Sequence, residues 1–232
     1  MRTLGLIGGM SWESSAHYYR LINQGVRDAR GPTASARCLM WSFDFSEIEQ
    51  LQRAGDWARL EELMIDAGQR LVRGGAEALV ICTNTMHRMA DAVEAGAGVP
   101  LLHIADPTGA AVRAAGCAKV GLLGTAFTME QDFYKARLAR LHGLDVLVPE
   151  SADRELVHRV IYDELVAGVV NEHSRAAYRA VIARLVDRGA EAVILGCTEI
   201  MLLVGADDSA VPLFDTTALH ARAAVDLALS ID

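Results

Sequence analysis

Two short segments of this sequence carry side chains whose types and spacing suit chemistry. Gly196-Cys197-Thr198-Glu199-Ile200 follows the apolar run EAVILG (191–196), and Cys82-Thr83-Asn84-Thr85-Met86-His87 closes the run EALVIC (77–82). A cysteine where a strand gives way to a helix can become a thiolate, because a helix N-terminus lowers a thiol pKa of about 8.5 to about 7 or below. A fall of about 1.5 units corresponds to about 2 kcal/mol in favour of the anion. Cys197 is therefore a candidate base, with a buried packing cysteine as the alternative. Asn84, Thr85 and Thr198 are neutral hydrogen-bonding neighbours suited to a carboxylate or an ammonium group. After Leu6-Ile7 come Gly8, Gly9, Met10 and Ser11, and after Leu122-Leu123 come Gly124 and Thr125. Small residues there let backbone N–H groups approach a small anion, with donors expected at Gly9, Thr85 and Thr125. Neither GxGxxG nor GxxxxGK[ST] is present, so a carboxylate fits this pattern better than a nucleotide.

These residues need a scaffold, and the composition describes one. The 232 residues are 52% apolar and 22% charged, with Lys plus Arg 22 against Asp plus Glu 30 and a formal net charge of −8. That excludes intrinsic disorder, and an acidic chain without a basic stripe argues against nucleic acid as partner. No apolar stretch approaches about 18 residues, so no membrane partner is expected. The start, MRTLGLIGGMSWESS, lacks a signal-peptide build, and Cys38, Cys82, Cys117 and Cys197 show no CxxC spacing. A cytoplasmic protein with free thiols, no metal and no cofactor is expected.

Eight apolar runs alternate with amphipathic stretches: 3–8, 38–43, 77–82, 100–104, 119–124, 144–148, 191–196 and 212–214. Continuous rather than alternating apolar runs mark parallel strands buried on both faces, and the intervening helices make βαβ units. One helix follows Asp56, with Leu60, Leu63, Met64, Ala67 and Leu71 on one face and Gly74 at its end; another runs from about Asn171 to Arg188. The chain is also written twice. LVRGGAEALVICTNT (71–85) aligns without a gap on LVDRGAEAVILGCTE (185–199) at an offset of 114. LGLIGG (4–9) matches VGLLGT (120–125), and VPLLHI (99–104) matches VPLFDT (211–216). The prediction is α/β: two similar Rossmann-like lobes with parallel sheets, related by a pseudo-twofold duplication, residues 1–105 plus 212–232 forming one and 106–211 the other. Ligands of open parallel sheets sit outside the carboxyl ends of the strands, so an active site is expected in the cleft between facing lobes.

GLIGGMSWESSAHYY, TNTMH, IYDEL and ILGCTEI resemble, in order along nearly the whole chain, signatures of the cofactor-independent aspartate/glutamate racemases. The resemblance implies two lobes with the site between them, a homodimer, a small amino-acid substrate, and one cysteine from each lobe flanking the substrate Cα. One thiolate removes the α-proton and the opposite thiol returns one to the other face. This sequence departs from that pattern. The place of the first cysteine is taken by Thr83, the counterpart of Cys197 in the duplication, while Cys82 pairs with Gly196. Successive strand side chains point to opposite faces, so Cys82 is expected to turn into the core if Thr83 faces the cleft.

An alcohol is a poor base near neutral pH. The resemblance assigns the second-lobe cysteine to the L-enantiomer, so Cys197 is expected to abstract the α-proton of an L-amino acid, with Thr83 donating or relaying a proton. Relatives acting on acidic amino acids hold the distal carboxylate with Arg or Lys; here Val169, Ile48 and Gln52 stand at the corresponding places, beside Arg53. The expected set is catalytic Cys197 and Thr83, with substrate held by Gly9, Met10, Gln52, Asn84, Thr85, Thr125, Thr198 and Glu199. Glu199 either orients the substrate ammonium, tunes the thiol, or only opens a helix. His87 and His103 read as structural, and the remaining histidines show no metal-ligand spacing. Two rivals remain: a single-cysteine decarboxylase or cis–trans isomerase of the same superfamily, and a non-catalytic amino-acid-binding protein.

Overall fold

The computed structural model describes residues 1–230. The described chain forms two compact units, one of residues 1–103 with the chain from His220 onward, the other Ile104–Leu219. The first contains β1 (Leu4–Gly8), α1 (Trp12–Arg30), β2 (Cys38–Ser42), α2 (Phe45–Ala54), α3 (Trp57–Arg73), β3 (Ala78–Ile81), a 3-10 turn (Thr85–Met89), α4 (Ala90–Ala97) and β4 (Leu101–Leu102). The second contains α5 (Ala105–Ala114), β5 (Lys119–Gly124), α6 (Ala126–Glu130), α7 (Asp132–His142), β6 (Asp145–Leu147), α8 (Ser151–Asp163), α9 (Glu172–Asp187), β7 (Ala192–Gly196), α10 (Ile200–Leu203) and β8 (Leu213–Asp215). Helix α11 (Thr216–Leu229) starts in the second unit and ends in the first.

Each unit holds one parallel four-stranded sheet, ordered β2-β1-β3-β4 in the first and β6-β5-β7-β8 in the second. The α/β architecture and its two like lobes are as the sequence predicts. The boundary is different. Strand β8 pairs with β7 (Val193↔Leu213), so residues 212–219 belong to the second unit rather than the first. The match of VPLLHI with VPLFDT already makes β8 the counterpart of β4, and the pairing follows that logic.

The shared GAEA segment is a strand-starting clamp built twice. Glu77 N–H donates to the Thr3 carbonyl at 2.8 Å, and Thr3 N–H donates back to Glu77 Oε2 at 2.6 Å. Glu191 N–H donates to the Lys119 carbonyl at 2.8 Å, and its Oε2 accepts from Ala118 and Lys119 N–H at 2.6 and 3.1 Å. The preceding helices start alike, on the side-chain oxygens of Asp56 and Asn171. Such caps satisfy backbone N–H groups that a helix start leaves without intrahelical partners. Past α3 the left-handed residue is Gly75 (φ 103°), while Gly74 remains right-handed.

Helix-on-sheet packing repeats as well. A Cβ on Gly5 of β1 would lie 3.1 Å from Leu71 Cβ of α3, and one on Gly121 of β5 would lie 3.4 Å from Leu185 Cβ of α9. Leu71 and Leu185 are counterparts in the duplication, so each helix reaches its sheet over a glycine. In the first unit, Leu60, Met64 and Leu71 cover one face of the sheet; Tyr18, Ile22 and Val26 of α1 with Ala221, Ala224 and Val225 of α11 cover the other. Each fully buried aliphatic side chain contributes about 1.5–3 kcal/mol, which fixes the strands whose ends carry the candidate residues. Among the described residues no helix is long and apolar enough to cross a membrane.

Candidate active site

In the second unit, β5 and β7 run in register through Gly124↔Gly196, so the segments that follow them leave side by side. One carries Thr125, whose Oγ1 accepts from Thr128 N–H at 3.3 Å and opens α6. The other carries Cys197, Thr198 and Glu199. Cys197 remains half-buried, while Thr198 and Glu199 are buried. Cys197 Sγ donates to Glu199 Oε2 at 3.0 Å, and Thr198 Oγ1 donates to the same oxygen at 2.6 Å.

This arrangement reverses the expected tuning of the thiol. Burial, then the neighbouring Glu199 carboxylate, push Cys197 well above the ordinary thiol range. The helix it was expected to open is α10, only four residues long and beginning at Ile200; Cys197 precedes it and accepts Ile200 N–H on its own carbonyl at 3.2 Å. A single turn has few aligned peptides, and a carboxylate against the sulfur opposes them. At rest Cys197 is a thiol.

In the first unit, β1 and β3 pair through Ile7↔Ile81, and Cys82 N–H donates to the Ile7 carbonyl at 2.8 Å. Cys82 is fully buried with Leu4, Leu6 and Tyr18, and that burial raises its thiol. Thr83 is half-buried, and Asn84 and Thr85 after it are buried. The duplicated stretch shows the same succession: Gly196 buried, Cys197 half-buried, Thr198 and Glu199 buried. Thr83 thus occupies in its own unit the position that Cys197 occupies in the other.

Two expectations for the first unit change. The Gly9 N–H is not a donor for a ligand: it donates to Ser15 Oγ at 2.7 Å, and Ser15 Oγ donates to the Ser11 carbonyl at 2.9 Å. Ser11 Oγ accepts Ser14 N–H, so the start of α1 is satisfied from within the SWESS segment. Gly9 is required for another reason: its φ is 83°, and a Cβ would lie 2.3 Å from Phe43 backbone atoms. Met10 packs in the core with Ile48, Met64 and Met86 instead of presenting a polar contact. Gln52 is buried, its Nε2 donating to Met86 Sδ at 3.4 Å, which sets its amide beside the 3-10 turn that carries Thr85.

Behind Thr83 lies a network that sequence reasoning missed. His87 Nδ1 donates to the Thr83 carbonyl at 2.8 Å; its ring centroid is 4.7 Å from that of His103 and 5.4 Å from that of His220. All three rings are buried. His220 Nε2 donates to the Leu102 carbonyl at 2.9 Å, so in the neutral ring Nδ1 is the acceptor for Tyr18 Oη, also at 2.9 Å. Burial, with a smaller contribution from His87, pushes the His220 imidazolium down to about 3. Asp215, the counterpart of His103, instead accepts Thr217 N–H at 2.8 Å at the start of α11. Among the described residues, no three His, Cys, Asp or Glu side chains gather as a metal site.

The model of the Asp/Glu/Hydantoin racemase family matches residues 7–224, and the chain belongs to that family. A crystal structure from Yersinia pestis, described as a candidate Asp/Glu racemase, is similar at 54% identity and TM-score 0.93, covering 99% of this chain and 100% of that one. An aspartate racemase homologue from Pyrococcus horikoshii is 32% identical with TM-score 0.85, again covering 99% and 100%. A glutamate racemase of Thermus thermophilus is 33% identical over 159 residues, a match spanning 66% of this chain and 55% of that protein.

Proposed function

We propose that the protein is an amino-acid racemase that works without a cofactor, acts on aspartate or glutamate, and starts from the L-enantiomer. Cys197, as thiolate, removes the α-proton, and the Thr83 hydroxyl donates or relays a proton to the opposite face. The observation that supports this most is the equivalence of Thr83 and Cys197, half-buried at matching strand ends with buried polar residues after each. The acidic substrate is taken from the names of the relatives. Thr198, Thr125, Asn84, Thr85 and Gln52 are the side chains proposed to hold it; Gly9 and Met10 shape the loop without donating. The homodimer that the family resemblance implies is part of the same reading.

With a thiol on one side and an alcohol on the other, abstraction at saturating substrate is expected to be faster from the L-form than from the D-form. A racemase leaves the equilibrium constant unchanged, so the asymmetry is kinetic. The test is a panel of L- and D-amino acids in D₂O, followed by NMR for loss of the α-proton. L-aspartate or L-glutamate should exchange at least tenfold faster than the D-form, Cys197→Ser should abolish exchange, and Cys82→Ser should keep it. Equal initial rates from both enantiomers, or loss of exchange in Cys82→Ser alone, would overturn the assignment.

A further inference from the structure

The contact between Cys197 and Glu199 raises a difficulty for a thiolate base. A thiolate beside an ionised carboxylate would place two negative charges about 3.0 Å apart in a partly buried pocket, an arrangement that like-charge repulsion and desolvation both oppose. One proton shared by the pair removes the difficulty, because its movement from sulfur to oxygen leaves the net charge unchanged. We propose that Glu199 is the positioning residue that takes the Cys197 proton, so that the base is a thiolate hydrogen-bonded to a neutral Glu199 carboxyl. This deepens the racemase reading and rests on Cys197 being its base.

The geometry suits the transfer. Glu199 is buried, and its Oε2 is the common acceptor of the Cys197 thiol and the Thr198 hydroxyl. Thr198 thereby keeps the carboxylate pointed at the sulfur. The S–H bond breaks with its electron pair left on sulfur, and an O–H bond forms on Glu199. The thiolate then takes the substrate α-proton, leaving that C–H pair on carbon, and the carbanion is protonated on its other face. Cys197 is now a thiol again, and Glu199 releases its proton to solvent, matching the one drawn from solvent on the opposite side. Tyr178 of α9 is a titratable group at which a negative charge on Cys197 would be felt. It is buried, donates to the Val157 carbonyl at 2.9 Å, and burial first, then negative charge at Cys197 or Glu164, raises its hydroxyl. Glu164 accepts the Ser174 hydroxyl on both oxygens. The alternative role, a carboxylate gripping the substrate ammonium, predicts a different set of effects.

The test measures alkylation of Cys197 by iodoacetamide against pH in the substrate-free full-length protein, read by mass spectrometry of the peptide containing residue 197, with Cys197→Ser as blank. In Glu199→Gln, which preserves shape, the alkylation midpoint should fall by at least one pH unit while kcat for the L-substrate drops tenfold or more. Glu199→Asp, which keeps a shorter carboxylate, should lie between the two in both measurements. An unchanged midpoint in Glu199→Gln, with the loss confined to KM, would overturn the proposal in favour of ammonium binding. A lowered midpoint with undiminished kcat would overturn the proton transfer. Thermal unfolding checks that each variant is folded. If the parent shows no α-proton exchange, the racemase reading fails, and the alkylation profile still decides whether Cys197 and Glu199 share a proton.

Discussion

His87 holds Thr83 by its main chain: the imidazole Nδ1 donates 2.8 Å to the Thr83 carbonyl, leaving the Thr83 side chain to be aimed by the turn alone. Loss of that donor leaves a part-buried carbonyl without this partner, a cost of about 1 kcal/mol. His87→Ala is expected to lower the urea midpoint accordingly and to reduce kcat about tenfold, with the Cys197 alkylation profile unmoved. An unchanged rate would show that the turn keeps its shape without the histidine.

Replacing Thr83 by cysteine restores a thiol on each side of the proposed reaction. Thr83→Cys should raise α-proton exchange from the D-enantiomer by at least tenfold while L-form exchange changes little. Initial rates from each pure enantiomer in D₂O measure this directly. No gain from the D-form would remove residue 83 from the mechanism.

The buried His220 makes stability depend on pH in one direction. Its folded pKa, about 3, lies below the ordinary histidine value near 6.5. The unfolded chain therefore binds a proton that the folded chain refuses as pH drops below about 6.5. Stability is expected to be constant from this group above pH 6.5 and to fall by up to about 1.4 kcal/mol per pH unit below it. Urea unfolding at stepped pH values should show that slope, and His220→Asn should flatten it. A parent protein equally stable at pH 7.5 and 5 would contradict the assignment.

The glycines under the two repeated helices give a symmetrical test of packing. A Cβ on Gly121 would lie 2.9 Å from Leu185 Cδ1, and one on Gly5 would lie 2.8 Å from Leu79 Cδ2. Gly121→Ala and Gly5→Ala are each expected to cost about 1–3 kcal/mol by forcing these side chains off their rotamers. Differential scanning calorimetry would check it, and a neutral effect at either site would show that the helix is free to lift.

The fold was largely legible because its signals are local. Continuous apolar runs mark the strands, Asp56 and Asn171 mark helix starts, and GAEA recurs because Glu77 and Glu191 each tie a strand to its neighbour. Of the candidate site, the duplication made legible only the correspondence of Thr83 with Cys197. What depended on side-chain direction was not. The turn of Glu199 back onto the Cys197 sulfur reverses the tuning that a cysteine before a helix suggests. Ser15 takes the Gly9 N–H that looked open to a ligand. Both partners are polar residues within six positions of their target, a range where sequence permits many rotamers and only packing selects one. The association of His87, His103 and His220 spans more than a hundred residues and left no local trace.

That association also bears on how the chain is spliced together. His103 is where the polypeptide leaves the first unit and His220 is where it re-enters, and the His87 ring lies against both, tilted to one and edge-on to the other. Exit and return are thus stapled at one spot, which makes the second unit a graft into a single point of its host. The two ends that its removal would leave, at His103 and His220, both lie against the His87 ring.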